Sequence, residues 1–187
     1  MLVPVEDAMS TMSANLLELL RSDVVAWNAR RDELPEAPDL HGLDLSGADL
    51  AGANLTGANM VGTDLSGANL TAAELGGADM TGANLSGAVA ADADFTGTHL
   101  ANANLSGAVL TLSFLTETDL DHADLAGADL SGAYMTAAHL EDADLTGARL
   151  AGAYLAHADL TGAKITSADL AGTDLTDAHM PDGAVRS

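Results

Sequence analysis

The 187-residue chain has no cysteine, which excludes disulfides, thiolate metal sites and cysteine nucleophiles together. Aromatic residues make up only 3% of it, although hydrophobic residues reach 48%. A globular core of that size normally uses more Phe, Tyr and Trp. The apolar content is mainly Ala and Leu, with 19 Gly spread among them, and points to a narrow, repetitive core. Bases are as scarce as aromatics: 6 Lys and Arg stand against 28 Asp and Glu, for a net charge of −22. Direct binding to a nucleic-acid backbone is therefore disfavoured, because phosphate contacts need Lys and Arg. The acidity reads first as a soluble, self-repelling surface and second as the imitation of a polyanion. No apolar run approaches the roughly 18 residues of a membrane span. Residues 1–7 carry acids and no base, so no secretory signal is expected, and the expected location is cytoplasmic.

What the chain has instead is a period of five. From Leu40 to Met180 every fifth residue is Leu, Met, Ile or Phe, with Ala90 the one exception, and no insertion breaks the phase. The position two before each centre holds only Ala, Thr or Ser from Ala48 to Ala178. The residue just before the centre is usually Asp or Asn. The two after it are commonly Ser or Thr, then Gly, as in residues 128–132, with Ala in the first of these places in residues 48–52. Five matches neither the helical 3.6 nor the strand period of 2, and it excludes a heptad. A phase held this long demands a solenoid, in which each unit buries its face only against its neighbours.

The A-D/N-L-S/T-G run over residues 38–180 resembles the pentapeptide-repeat family. That resemblance implies an all-β solenoid, a right-handed quadrilateral β-helix with four pentapeptides per coil, so that position n stacks on n+20. About seven coils are expected, roughly 34 Å of rod at ~4.8 Å per coil. The residue types agree with it. The large centre and the small residue before it both point inward. The third position of a type II turn needs φ > 0, which Gly47, Gly57, Gly67, Gly87 and Gly107 supply at little cost. Ala72, Asp92, Leu112 and Glu117 stand at the same position, and a different turn type is expected there. Ala90 underfills the layer it shares with Leu85, Phe95 and Leu100, and Phe95 reads as the compensating volume.

The chain divides into an N-terminal segment, 1–37, the repeat, 38–180, and a short tail, 181–187. Ser13 to Arg31 reads as a capping helix, with Leu16, Leu20, Val24 and Trp27 on its apolar side. Ser13 or Asn15 is placed to start it, and Pro35 and Pro38 to end it. A solenoid end exposes strand edges and apolar centres, so Trp27 is expected to cover the first coil. The tail is too short for a second helix. Pro181 blunts the far edge only in part, which leaves Ile165, Leu170, Leu175 and Met180 as a candidate end-to-end interface between two copies.

With n stacked on n+20, the outer columns can be read directly. One runs Asn54, Glu74, Asp94, Phe114, Tyr134, Tyr154, Asp174. Three aromatics follow one another on an otherwise acidic face, with Leu112, Val109 and Val89 around the corner. Stacking between coils explains the rings. A binding patch explains Leu112 as well, so Val89, Val109, Leu112, Phe114, Tyr134 and Tyr154 form a candidate interaction surface. A second column alternates Asp79, His99, Asp119, His139, Asp159, His179. Its histidines stand two coils apart, roughly 9.6 Å, and cannot share a zinc with bonds near 2 Å, so it reads as a solvated charge ladder. The threonines at 56, 96, 116, 136 and 176 would suit a flat ice-binding face, but Gly76 and Ala156 interrupt them.

From residue 40 onward the only bases are Arg149, Lys164 and Arg186, the first two in columns beside aspartates. No cofactor, metal or catalytic set is expected, because a filled solenoid offers no cleft. The expected function is a non-catalytic scaffold for an unidentified protein partner. The family resemblance implies an alternative, since some members imitate DNA, bind DNA gyrase and confer resistance to gyrase poisons. Those members commonly dimerise through a C-terminal helix, and some carry projecting loops. The unbroken phase and Leu-rich centres here place the scaffold reading first.

Overall fold

The computed structural model describes residues 16–186. Its unit is one turn per repeat. The carbonyl of each centre accepts the N–H of the residue three on, as Leu50 accepts from Ala53 at 3.0 Å, which closes a β-turn. From Gly42 to Asp177 every fifth residue holds a positive φ, between 53° and 72°. Ala72, Asp92, Leu112 and Glu117 adopt it too, at 53°, 57°, 58° and 57°, so the different turn type expected there is not found. The reason is the ladder. Leu112 N–H donates to the Ser131 carbonyl and Glu117 N–H to that of Thr136, both at 3.1 Å, as the glycine corners do. Coil-to-coil bonding holds the corner in the left-handed region whatever the side chain.

The Asp or Asn before each centre has a local task. Asp44 accepts Ser46 N–H at 3.0 Å and the Ser46 hydroxyl at 2.7 Å, and Asn69 accepts Thr71 N–H at 3.1 Å. This bond fixes the entry to the turn, a task for which short polar side chains are suited.

Every parallel bridge pairs n with n+20, from Asp39–Asn59 to Asp159–His179. Each repeat contributes three such links. Around Leu130 they are Leu130 N–H to the Arg149 carbonyl at 2.7 Å, Gly132 N–H to Ala151 at 3.0 Å, and Asp129 N–H to Ala108 at 2.9 Å. Four repeats complete a coil, and four bridge columns give four sides. The centres from Leu40 to Leu160 are buried, as are the small residues beside nearly all of them. Ala90 and Phe95 lie buried in the same layer. Thr63, Thr98 and Thr118 are buried in the small position, and each hydroxyl donates to the carbonyl of a centre, Leu40, Leu75 and Phe95, at 2.7–2.9 Å. No desolvation penalty for an unpaired hydroxyl arises there.

Ahead of the repeat, residues 16–22 are helical and a second helix spans Val24–Arg31. The single helix expected is broken at Asp23. Its backbone leaves the helical region, at φ −153° and ψ 84°, and its carboxylate accepts Ala26 N–H at 3.0 Å as the N-cap of the second helix. The caps expected at Ser13 and Asn15 lie outside the described residues. Arg30 and Arg31 occupy the last turn, where the helix dipole favours cations, and the helix stops ahead of Pro35. Leu20 and Trp27 are buried, and Leu16 and Val24 are half-buried against the same core.

The helix meets the first coil through hydrogen bonds as well as packing. Trp27 Nε1 donates to the Asn54 carbonyl at 2.9 Å, and Arg31 to that of Thr56 at 3.0 Å. Asn28 Oδ1 accepts Asn54 N–H at 2.8 Å. Deeper in the rod these three backbone groups bond to a preceding coil. Here three side chains take its place.

At the other end the tail turns back rather than trailing. Val185 pairs antiparallel with His179, Met180 N–H donates to the Ala184 carbonyl at 2.7 Å, and Arg186 N–H to that of Ala178 at 3.0 Å. Met180 is buried beneath it, so this member of the expected interface is not at the open surface. On the other three sides Ile165, Leu170 and Leu175 are half-buried. Among the described residues their N–H groups have no backbone partner. No helix among the described residues is long and apolar enough to cross a membrane.

Candidate interaction surface

Phe114, Tyr134 and Tyr154 occupy the position just before the centre, so their side chains project outward from one side of the rod. Bridges hold them in register, Phe114 to Tyr134 and Tyr134 to Tyr154. The rings stack with centroids 5.1 Å apart at both steps, and adjacent planes differ by only 8° and 2°. Ring faces thus cover one another and ring edges face solvent. The exposure is large for such residues: 44% for Phe114, 39% for Tyr134 and 46% for Tyr154.

Leu112 adjoins them at the corner and is 50% exposed. It is a bulky side chain at φ 58°, a conformation that costs such residues steric strain. Its side chain lies over the corner of the next coil. A Cβ at Gly132 would come within 2.9 Å of Leu112 Cδ2, so Gly132 is what lets Leu112 lie flat. Gly132 was not singled out from the sequence, although it stands twenty residues after Leu112 and the register alone would have found it. Val89 and Val109 pair from coil to coil on the adjoining side, Val89 exposed and Val109 half-buried. The six residues expected to form a patch are therefore brought together on two adjoining sides.

Asp94 and Asp174 continue the aromatic column at its two ends. Hydrogen bonds from Thr176 hold the Asp174 carboxyl below the ordinary carboxylate value. The two bases that stand in columns beside aspartates pair with them: Arg149 lies 3.4 Å from Asp129, and Lys164 lies 3.1 Å from Asp144. Asp144 is lowered to about 2, first by the hydroxyl and N–H of Thr146 and then by Lys164.

The Asp and His column is also in register, from Asp79 to His179, and His99, His139 and His179 are exposed. Hydrogen bonds from Thr161 lower Asp159, with smaller contributions from His179 and His139 on either side. Among the described residues no three His, Asp or Glu are disposed to hold a metal ion. A concavity of about 510 Å³ opens at the C-terminal end, lined by Ile165, Met180, Pro181, Asp182, Ala184 and Arg186.

Twenty-residue parallel register, four sides and inward Leu centres define a four-sided β-solenoid built on five-residue units. The pentapeptide repeats family model matches in 8 copies, together covering residues 39–180, and the chain belongs to that family, whose fold is the right-handed quadrilateral β-helix. No curated protein matches it. Among solved structures it is similar to HetL, a pentapeptide repeat protein involved in heterocyst differentiation regulation in the cyanobacterium Nostoc sp. strain PCC 7120. The identity is 27%, over 87% of this chain and 99% of that one, with a TM-score of 0.31. It is also similar to the pentapeptide repeat protein Rfr23 of the cyanobacterium Cyanothece 51142, at 27% identity over 79% and 92%, TM-score 0.38. QnrB1, a plasmid-mediated fluoroquinolone resistance protein, matches at 23% identity over 77% of each chain, TM-score 0.46.

Proposed function

We propose that the chain is a non-catalytic scaffold for protein interaction. It is a rod of about seven coils, roughly 34 Å long at ~4.8 Å per coil, capped at its N-terminal end by the Val24–Arg31 helix. The observation that carries this reading is the ridge of Leu112, Phe114, Tyr134 and Tyr154. Stacking between coils accounts for the rings, but it gives no reason for a half-exposed leucine in a left-handed corner. Every other corner from residue 42 to 177 carries Gly, Ala or a polar residue, so an apolar side chain of this size stands out there by its chemistry. The test is affinity capture from native lysate with wild type and with a Phe114→Asp, Tyr134→Asp variant of equal melting temperature. A protein held by the first and released by the second is expected. Identical sets of retained proteins would sink the reading.

A second reading rests on charge. Only Arg149, Lys164 and Arg186 offset the acids from residue 40 onward, and two of these bases are already paired with aspartates. A rod with that surface fits imitation of DNA and modulation of DNA gyrase. Purified protein should then inhibit gyrase, or protect it from a quinolone, at low salt, and lose the effect as salt screens the attraction. Supercoiling unchanged at tens of micromolar protein removes this reading.

A further inference from the structure

The ridge sets geometric terms for what can lie on it. Its rings follow one another along the rod axis every 5.1 Å. An α-helix returns side chains to one face every ~5.4 Å of its length, one turn at a time. Laid along the rod, it stays within ~0.6 Å of register over the two steps from Phe114 to Tyr154. A β-strand presents same-face side chains every ~6.8 Å and is ~3.4 Å out of step by the third ring. Leu112 widens the ridge toward Val109 and supplies the aliphatic shoulder on which a second row of apolar side chains can rest.

Charge supplies the other constraint. Carboxylates bound the ridge along the axis, at Asp94 and Asp174, and at adjoining corners, at Asp92 and Glu117. Arg149, on the adjoining side, is engaged by Asp129, and His157, at the corner after Tyr154, lies 3.9 Å from Asp177. An apolar strip framed by acids is complementary to an apolar strip framed by Lys and Arg.

We propose that the ridge binds an amphipathic α-helix of a partner protein, laid parallel to the rod axis. The helix seats its apolar stripe on Leu112, Phe114, Tyr134 and Tyr154, and its basic flanks meet the carboxylates. This rests on the scaffold reading and gives it a partner of defined chemistry.

The test uses two synthetic peptides of about 18 residues and identical Leu and Lys composition. In one, Leu recurs at helical spacing, and in the other it alternates with Lys. Both carry the same charge, so any difference in binding reports the spacing. Titration calorimetry with the full chain at physiological ionic strength should show the helical pattern binding about tenfold more tightly. A Leu112→Gly variant restores the corner residue found in most other turns, so it should fold at least as well as wild type and bind the helical peptide about threefold more weakly. Leu112→Gly combined with Tyr134→Ser should abolish the preference. Equal binding of the two peptides by wild type, or a preference that survives the double substitution, overturns the proposal. If it is overturned while lysate capture still depends on Phe114 and Tyr134, the ridge remains an interaction surface and only the helical partner falls.

Discussion

At the scale of the residue, the fold rests on a few side chains doing the same task many times. Leu130 is fully buried in the axial stack. Leu130→Asp would bury a carboxylate with no partner and should cost on the order of 3 kcal/mol or more. Thermal unfolding checks this, and a melting temperature within a degree or two of wild type would place residue 130 outside the core. The turn aspartates make the opposite use of charge. Asp44, Asp64, Asp159 and Asp174 are lowered from their ordinary value, and Asp144 falls to about 2, in each case chiefly through hydrogen bonds from the Ser or Thr two residues on. A carboxyl whose folded value lies below its unfolded one stabilises the fold at pH above the unfolded value and loses that contribution as pH falls through the folded one. The melting temperature should therefore hold down to about pH 4 and drop between there and about pH 2. A melting temperature that climbs over that interval would mean relief of self-repulsion outweighs the turn bonds.

At the scale of the element, the N-terminal helix and the repeat are joined by Trp27. Its ring is buried and its Nε1 satisfies the Asn54 carbonyl. Trp27→Ala removes both and should destabilise by about 3–5 kcal/mol. The loss should concentrate at the first coil, and hydrogen exchange at Leu45, Leu50 and Leu55 should accelerate more than at Leu130. Uniform acceleration along the rod would contradict a local role. The repeat was legible because one apolar residue in five is a signal that no other regular structure produces. The ring column was legible because register converts sequence distance into contact. The break at Asp23 was not: an acid between Ser22 and Val24 reads equally well inside a helix and at its start. The corners at Leu112 and Glu117 were misread because side-chain preference suggested one backbone and the ladder imposed another. The returning tail carries no period, so nothing in its sequence announced the pairing of Val185 with His179.

At the scale of the whole molecule, the two ends are unlike. One is bonded to helix side chains, while the other leaves Ile165, Leu170 and Leu175 half-covered, their N–H groups without a backbone acceptor among the described residues. Such an edge is a template for another strand, and a second copy related by a two-fold axis would satisfy both edges at once. The contact is small, roughly 600–1,000 Å² in total, so association should be moderate and concentration-dependent. Sedimentation equilibrium is expected to show mass rising from monomer toward dimer with concentration and staying monomeric in Leu175→Asp. One species of monomer mass throughout would exclude the pairing. The twenty-residue register also governs how such a chain can change in length. Inserting or deleting one full coil moves the ends apart or together and leaves every column pointing where it did. Inserting a single repeat turns everything beyond it by a quarter revolution. The azimuth of the aromatic column relative to the N-terminal helix is thus a quantity counted in fives and preserved only modulo twenty, so for a partner that must touch both, an insertion of five residues and one of twenty are different kinds of event.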